Sequence, residues 1–344
     1  MSPVTRVLVV DDSAYVRKVV SQMLSRNGDI QVVGIARDGN EALDQVEELR
    51  PDVVTCDLVM PELDGVGFVQ AQMSRRPVPI VIVSVANESG ELVLSALDAG
   101  AVDFVQKPTA LATDRLLEIA QELTDKVKAA AASHVHARVL LEAPLLTDTG
   151  VRPSRGVFDV VVIGISTGGP QALKLIIPRL PSNLPVPVAV VLHMPVGYTQ
   201  LYAEKLNETS AIHVREASDQ GRLEPGTVYI APAGRHLTVE RNGHGVCTRL
   251  DARPLDTLYR PSVDVLFQSA ANVFGARVLG LVMTGMGSDG REGAAWIKAK
   301  GGTVFTETED SCVVYGMPRS VVEAGLSDGA YDLGHMVDAI LEHV

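Results

Sequence analysis

"FDVVVIGISTGGPQAL", residues 158–173, runs an apolar strand into a knot of small residues and out through a proline. A Val- and Ile-rich run without polar alternation reads as a strand covered on both faces. Pro170 suits the first turn of a following helix. The stretch is therefore strand, tight turn, helix, the building block of a parallel α/β sheet. Its glycines either cradle a phosphate or hold up Ser166 as a nucleophile. A dinucleotide fingerprint needs G-x-G-x-x-G, and Ser166 stands at its middle glycine; a P-loop needs G-K-[ST], and the next lysine is Lys174. What matches is G-x-S-x-G over Gly164, Ile165, Ser166, Thr167 and Gly168. Such a turn lifts a serine hydroxyl proud of the sheet, near the positive end of a helix.

A nucleophilic serine needs a base, and the base needs a group that orients it. Of the 8 histidines, His134 and His136 fall in a linker-like stretch, and His335 and His343 in the C-terminal tail. His213, His236 and His244 lie in polar or turn-like context. Only His193 follows directly on an apolar strand, "VAVVLH", which places it at the same sheet end as Ser166. The next such strand, "RVLGLVMTGMGSDG", ends in a glycine-rich loop carrying Asp289. Asp289 can orient a histidine, cap the helix that follows it, or do both. Glycines 285, 287 and 290 leave backbone N–H groups free to face an oxyanion. The order Ser, His, Asp differs from the Ser, Asp, His of α/β-hydrolases, but a triad is defined by geometry and not by order.

Outward from this stretch, "VAVVLHM", "TVYIAP", "HLTVE", "ARVLGLVMTG" and "GTVFTE" read as further strands. Helical segments fall at about 170–178, 198–209, 263–274 and 290–300. The pattern predicts a mostly parallel sheet with some antiparallel edge around 228–250. The first half repeats the same grammar. "RVLVV", "IQVVGIA", "DVVTCD", "PIVIVS" and "AVDFVQK" alternate with five amphipathic segments, a doubly wound sheet whose ligands gather at the carboxyl ends of its strands. Those ends carry Asp11, Asp12, Asp57, Ser84 and Lys107. Three converging carboxylates call for a cation between them, and hard oxygen ligands suit Mg2+. A hydroxyl and an ammonium beside them would neutralise phosphoryl oxygens.

At 344 residues the chain has room for two domains. The segment 123–156 begins as a helix continuation and dissolves into Ala, Thr, Pro, Gly and Arg, which reads as a linker. The boundaries expected are 1–122, 123–156 and 157–344. Residues 1–122 hold 10 Lys and Arg against 19 Asp and Glu, and the whole chain has a formal charge of −12. That balance disfavours a nucleic-acid partner, as does the lack of a helix-turn-helix pattern. No stretch approaches the ~20 apolar residues of a membrane span, and no secretory leader is evident. Cys56, Cys247 and Cys312 are scattered without the spacing of a zinc site or a disulfide framework. These features predict a cytoplasmic protein.

"VVDD", "CDLVMPELDG" and "VDFVQKP" resemble the response-regulator receiver signature across about residues 4–122. The resemblance implies a flavodoxin-like fold. In it Asp57 accepts a phosphoryl group from a histidine kinase, and Asp11, Asp12 and Asp57 hold Mg2+ with the backbone carbonyl of Val59. Ser84, Phe104 and Lys107 form the switch residues. "GISTGGPQAL", "LHMPVGYTQLYAEKLN", "VYIAPAGRHL", "PSVDVLFQSAA", "LVMTGMGSDG" and "CVVYGMPRSVV" resemble, in order, the motifs of the chemotaxis protein-glutamate methylesterases. That family joins a receiver to a Rossmann-like three-layer α/β catalytic domain. The resemblance makes Ser166 the nucleophile, His193 the base, Asp289 its orienting acid and the Met286 N–H an oxyanion donor, with Thr167 close by.

It further implies removal of methyl groups, as methanol, from glutamate esters of methyl-accepting chemotaxis receptors, and deamidation of receptor glutamines. The catalytic domain needs no cofactor. A resting receiver is expected to restrain hydrolysis until Asp57 is phosphorylated. The chain departs from the family's usual residues at Val59, at Leu192 and in "TETED" (306–310). Two other classes compete with this reading. A docking module without turnover is disfavoured by the complete set of candidate catalytic residues, and a nucleotide-binding oxidoreductase by the missing middle glycine.

Overall fold

The computed structural model describes residues 4–26, 28–84, 90–107, 113–133, 156–243 and 245–344, with backbone alone over 113–118. His134, His136 and His244 lie outside the described residues. The chain divides into two compact units, Met1–Leu141 and Glu142–Val344.

In the first unit, β1 (Thr5–Val10), β2 (Ile30–Ala36), β3 (Val53–Cys56), β4 (Ile80–Ser84) and β5 (Asp103–Gln106) form one parallel sheet in the order β2-β1-β3-β4-β5. Helices α1 (Ala14–Ser25), α2 (Gly39–Leu49), α3 (Gly65–Arg75), α4 (Gly90–Ala99) and α5 (Thr113–Ala132) connect and cover them. Strands β3 (VVTC) and β4 (IVIVS) are buried along their whole length, as uncharged, Val- and Ile-rich runs without polar alternation predict. Ser13, Asp38 and Asp64 cap α1, α2 and α3 through side-chain oxygens that accept backbone N–H groups. The strand order switches beside β1, so the crevice at the carboxyl ends of β1 and β3 is where a ligand belongs. Helix α5 continues to Ala132, past the boundary expected at residue 122.

In the second unit seven parallel strands run in the order β14-β13-β12-β6-β7-β9-β8. They are β6 (Val160–Ile165), β7 (Val188–Leu192), β8 (His213–Glu216), β9 (Thr227–Ile230), β12 (Val278–Val282), β13 (Thr303–Glu307) and β14 (Gly329–Tyr331). A separate antiparallel hairpin pairs β10 (His236–Asn242) with β11 (Gly245–Asp251). The helices are α6 (Gly169–Ile176), α7 (Thr199–Glu208), α8 (Val263–Phe274), α9 (Arg291–Ala299), α10 (Met317–Glu323) and α11 (Leu333–Leu341).

The antiparallel edge expected around 228–250 is not part of this sheet. Strand β9 pairs in parallel with both β7 and β8, and the antiparallel residues form the hairpin, which packs on α8. The "HLTVE" pattern has the right period but does not say which sheet it joins. Short strands β8 and β14 and helices α10 and α11 are absent from the sequence reading; the first three, at three to seven residues, carry little periodicity.

One face of the sheet, with Val160, Val162, Val191, Val278 and Val282, packs on Val263, Leu266, Phe267 and Ala270 of α8 and on Ala294 and Ile297 of α9. The alternate residues Val161, Ile163 and Ile165 are equally buried, so both faces are covered. From β6 the chain builds outward through β7 on one side and later through β12 on the other. The switch point therefore falls between β6 and β12, where the Ser166 turn emerges. Among the described residues no helix is long and apolar enough to cross a membrane.

Candidate active site

Ser166 leaves β6 at the expected turn. Its N–H donates to the Thr284 carbonyl at 2.9 Å, and its own carbonyl accepts from Gly169 N at 2.6 Å, which closes the turn into α6. Gly168 caps α6 at φ +78°, a left-handed conformation that L side chains rarely adopt; a Cβ there would also meet Val313 at 2.6 Å. The serine itself stays half-buried while its neighbours Ile165, Thr167 and Gly168 are buried.

His193 stands one residue beyond β7 and donates its backbone N–H to Ile165 O at 3.1 Å, so it sits level with Ser166 on the neighbouring strand. Its Nε2 lies 2.9 Å from Asp289 Oδ2, and its Nδ1 is buried with no hydrogen-bond partner among the described residues. The Tyr259 ring stacks on the imidazole, with centroids 4.2 Å apart and planes at 17°. The structure thus brings His193 and Asp289 together. Among the described residues it places no hydrogen bond between His193 and the Ser166 hydroxyl, a contact that commonly tightens only when substrate binds.

Asp289 is fixed on every side. Beyond His193 it accepts Ser262 Oγ at 2.9 Å, Val263 N at 2.8 Å and Asp264 N at 3.0 Å. Burial pushes its carboxyl up, but the hydrogen bond and charge of His193, with the backbone N–H groups of Asp264 and Val263, outweigh burial and hold it below the usual carboxylate range. An ionised Asp289 keeps the hydrogen on His193 Nε2 and leaves Nδ1 as the free acceptor.

Sequence reasoning passed over three supports. Asp264 Oδ1 accepts Gly290 N at 2.9 Å and Gly293 N at 2.7 Å, and so ties the loop of Asp289 to α8. Burial raises the Asp264 pKa, opposed by the Gly293 N–H and reinforced by the charge of Asp289. His236, assigned above to polar context, is fully buried at the start of β10. Its Nδ1 accepts Ser262 N at 3.2 Å and its Nε2 faces the Pro254 carbonyl at 3.0 Å, and burial lowers its pKa. The third is Thr284, whose hydroxyl donates to Thr167 O at 2.9 Å and whose N–H donates to Glu307 Oε2 at 2.8 Å. "PSVDVLF" and "LVMTGMGSDG" contain Asp264 and Thr284, but nothing in their local pattern says that these two side chains reach the loops around Ser166 and Asp289.

Met286 follows the Gly285 turn beside Ser166, and its N–H donates no hydrogen bond among the described residues. A Cβ on Gly285 would meet Ser166 Cβ at 2.8 Å, so this close approach requires glycine. Thr167 is buried. Leu192 is wholly buried and faces Gly169.

In the first unit, one ligand oxygen from each of Asp11, Asp12 and Asp57 lies within 4.8 Å of the others. Lys107 Nζ reaches Asp11 Oδ2 at 2.6 Å and Asp57 Oδ2 at 2.7 Å. Asp57 Oδ1 accepts Leu58 N at 2.8 Å, and a Cβ on Gly65 would meet the Asp57 carbonyl at 2.1 Å. Burial raises the Asp11 pKa against the pull of Lys107; burial lowers that of Lys107, but its two carboxylate partners raise it further. Three carboxylates against one ammonium leave a negative, all-oxygen donor set, which fits a hard divalent cation. Ser84 is buried at the end of β4 and Phe104 within β5, and the Lys107 N–H donates to Ser84 O at 2.6 Å. Val59 is exposed.

Comparison with known proteins assigns both units. Residues 7–121 match the response regulator receiver domain and residues 161–340 the CheB methylesterase. The chain is 51% identical over 346 residues to protein-glutamate methylesterase/protein-glutamine glutaminase 5 of Myxococcus xanthus, covering 100% of this chain and 99% of that protein. It is 41% identical over 326 residues to a Thermotoga maritima protein of the same activities, covering 94% of each. The crystal structure of the Thermotoga maritima CheB methylesterase catalytic domain superimposes with a TM-score of 0.53 at 42% identity, covering 54% of this chain and 99% of that one. The chain belongs to the CheB methylesterase family, with a response regulator receiver domain ahead of its methylesterase domain.

Proposed function

We propose that this chain is a phosphorylation-regulated protein-glutamate methylesterase, and a protein-glutamine glutaminase, of chemotaxis adaptation. The observation that carries the reading is the His193–Asp289 pair at 2.9 Å, set at the strand ends that flank the Ser166 turn, with Nδ1 left as the free nitrogen. In this reading Ser166 Oγ attacks the ester carbonyl of a receptor glutamate while His193 Nδ1 takes its proton. The Met286 N–H stabilises the oxyanion. Collapse breaks the bond to the methoxy oxygen, His193 returns the proton, and methanol leaves. Water, activated by the same nitrogen, then cleaves the acyl-serine to a free carboxylate. With glutamine the leaving group is ammonia and the acyl intermediate is the same.

The family likeness and the carboxylate cluster support a receiver over about 1–122 that accepts a phosphoryl group on Asp57 from a chemotaxis histidine kinase. Asp11, Asp12 and Asp57, with the Val59 carbonyl, would hold Mg2+, which supplies counter-charge to the phosphoryl oxygens when bound. Lys107, 2.7 Å from Asp57, and Ser84 would meet those oxygens, and Phe104 would complete the switch set. We assign 123–156 to a linker and 157–344 to the catalytic domain. Chemoreceptors as substrate and the cytoplasm as compartment belong to the same proposal. Methanol release from methylated receptor membranes tests it: wild type turns over, and Ser166→Ala does not.

A further inference from the structure

Glu307, the last residue of β13, has no solvent exposure. Its Oε2 accepts Thr284 N at 2.8 Å, its Oε1 accepts Ser311 Oγ at 3.0 Å, and the Cys312 thiol is also hydrogen-bonded to it. Thr284 is the hub beside Ser166. Its carbonyl accepts Ser166 N at 2.9 Å, and its hydroxyl donates to Thr167 O at 2.9 Å and accepts Val314 N at 3.0 Å. The next residue, Gly285, donates to Val314 O at 2.9 Å and accepts Gly316 N and Met317 N at 3.0 and 2.8 Å. One buried carboxyl therefore ties the end of β12 to the loop after β13. The Ser166 backbone and the Gly285–Met286 turn both hang from that tie.

We propose that Glu307 is a positioning residue for the hydrolysis, holding the Thr284 peptide and through it the Ser166 turn and the Met286 donor in register. The inference rests on the roles given above to Ser166 and Met286. A carboxyl is an unusual group for this task, because the groups that meet it are neutral donors. Of the titratable side chains facing it, Cys312 lies on the same loop and Asp332, at the start of α11, has like charge. Burial raises its pKa to about 7, the Thr284, Ser311 and Cys312 hydrogen bonds pulling the other way and Asp332 adding to the rise. The protonated acid still accepts from Thr284, so the tie does not need the charge. Glutamine has the same shape and the same acceptor.

The test is methanol release by the full chain as wild type, Glu307→Ala, Glu307→Gln and Glu307→Asp, with thermal melting of each from about pH 5 to about pH 8. Misplacing a preorganised donor lowers kcat by about tenfold or more in Glu307→Ala with KM within about twofold, and Glu307→Gln stays within about threefold of wild type. Glu307→Asp, one methylene too short, keeps the charge but loses rate; it decides the matter if the alanine variant does not fold. The melting temperature of Glu307→Gln rises relative to wild type as pH increases, because only the wild type must bury an ionising group. Wild-type kcat in the alanine or aspartate variant, or a glutamine variant as slow as alanine, overturns the proposal. Absence of Ser166-dependent release from the wild type itself would instead sink the functional reading on which it stands.

Discussion

The carboxylates of Asp264 and Asp289 cap each other's helices. Asp289 accepts the Val263 and Asp264 N–H groups at the start of α8, and Asp264 accepts those of Gly290 and Gly293 at the start of α9. Each satisfies donors that a helix terminus otherwise leaves orphaned. The acid that His193 meets at 2.9 Å is thus held by a second acid, and the two respond to each other's charge.

Asp264→Ala removes an acceptor from two N–H groups at a half-buried site, which costs about 1–3 kcal/mol of stability in urea denaturation. Asp264→Asn keeps an acceptor and loses less. The folded protein binds the Asp264 proton more tightly than the unfolded chain does, because burial, with the help of the Asp289 charge, raises its pKa. Stability therefore falls on this account as pH rises from about 4, where the unfolded side chain ionises, to about 7, where the folded one does. Asp264→Asn lacks this slope, so its stability relative to wild type improves across the same window.

Asp289→Asn leaves the imidazole a neutral partner that no longer fixes the hydrogen on Nε2. The free Nδ1 ceases to be a dependable acceptor, and kcat falls by roughly a thousandfold or more with KM little changed. Steady-state methanol release over a substrate series separates the two parameters. A rise in KM with kcat unchanged would mean that Asp289 serves binding and not proton transfer.

The fold was legible where the chain is regular. Long Val- and Ile-rich strands such as Val160–Ile165, and acids stationed at strand ends, announce parallel sheets and their crevices. Ser166, His193 and Asp289 stand out as candidates because each follows a strong strand, and the structure brings His193 and Asp289 together. Residues that act through backbone were not readable. Glu307 and Asp264 lie far from Ser166 in sequence, and their partners are N–H groups that carry no side-chain signature. His236 looked polar by its neighbours, yet the hairpin buries it completely against Ser262. The short strands β8 and β14 depend on tertiary pairing that no local pattern encodes.

Lys107 occupies the negative crevice of the receiver unit, 2.6 Å from Asp11 and 2.7 Å from Asp57. Replacing it by alanine removes a positive charge that opposes an incoming cation. Mg2+ binding measured calorimetrically tightens by about threefold or more in Lys107→Ala, while phosphodonor stimulation is lost. Weaker Mg2+ binding in that variant would show that Lys107 organises the acids instead of competing for them.

The central claim is that Ser166 performs the hydrolysis and that a phosphoryl group on Asp57 raises its rate. Methanol release from methylated receptor membranes, measured for wild type, Ser166→Ala and Asp57→Ala with and without acetyl phosphate, tests it most directly. The account predicts release that vanishes in Ser166→Ala and that acetyl phosphate accelerates only while Asp57 is present. Equal release by wild type and Ser166→Ala would contradict it.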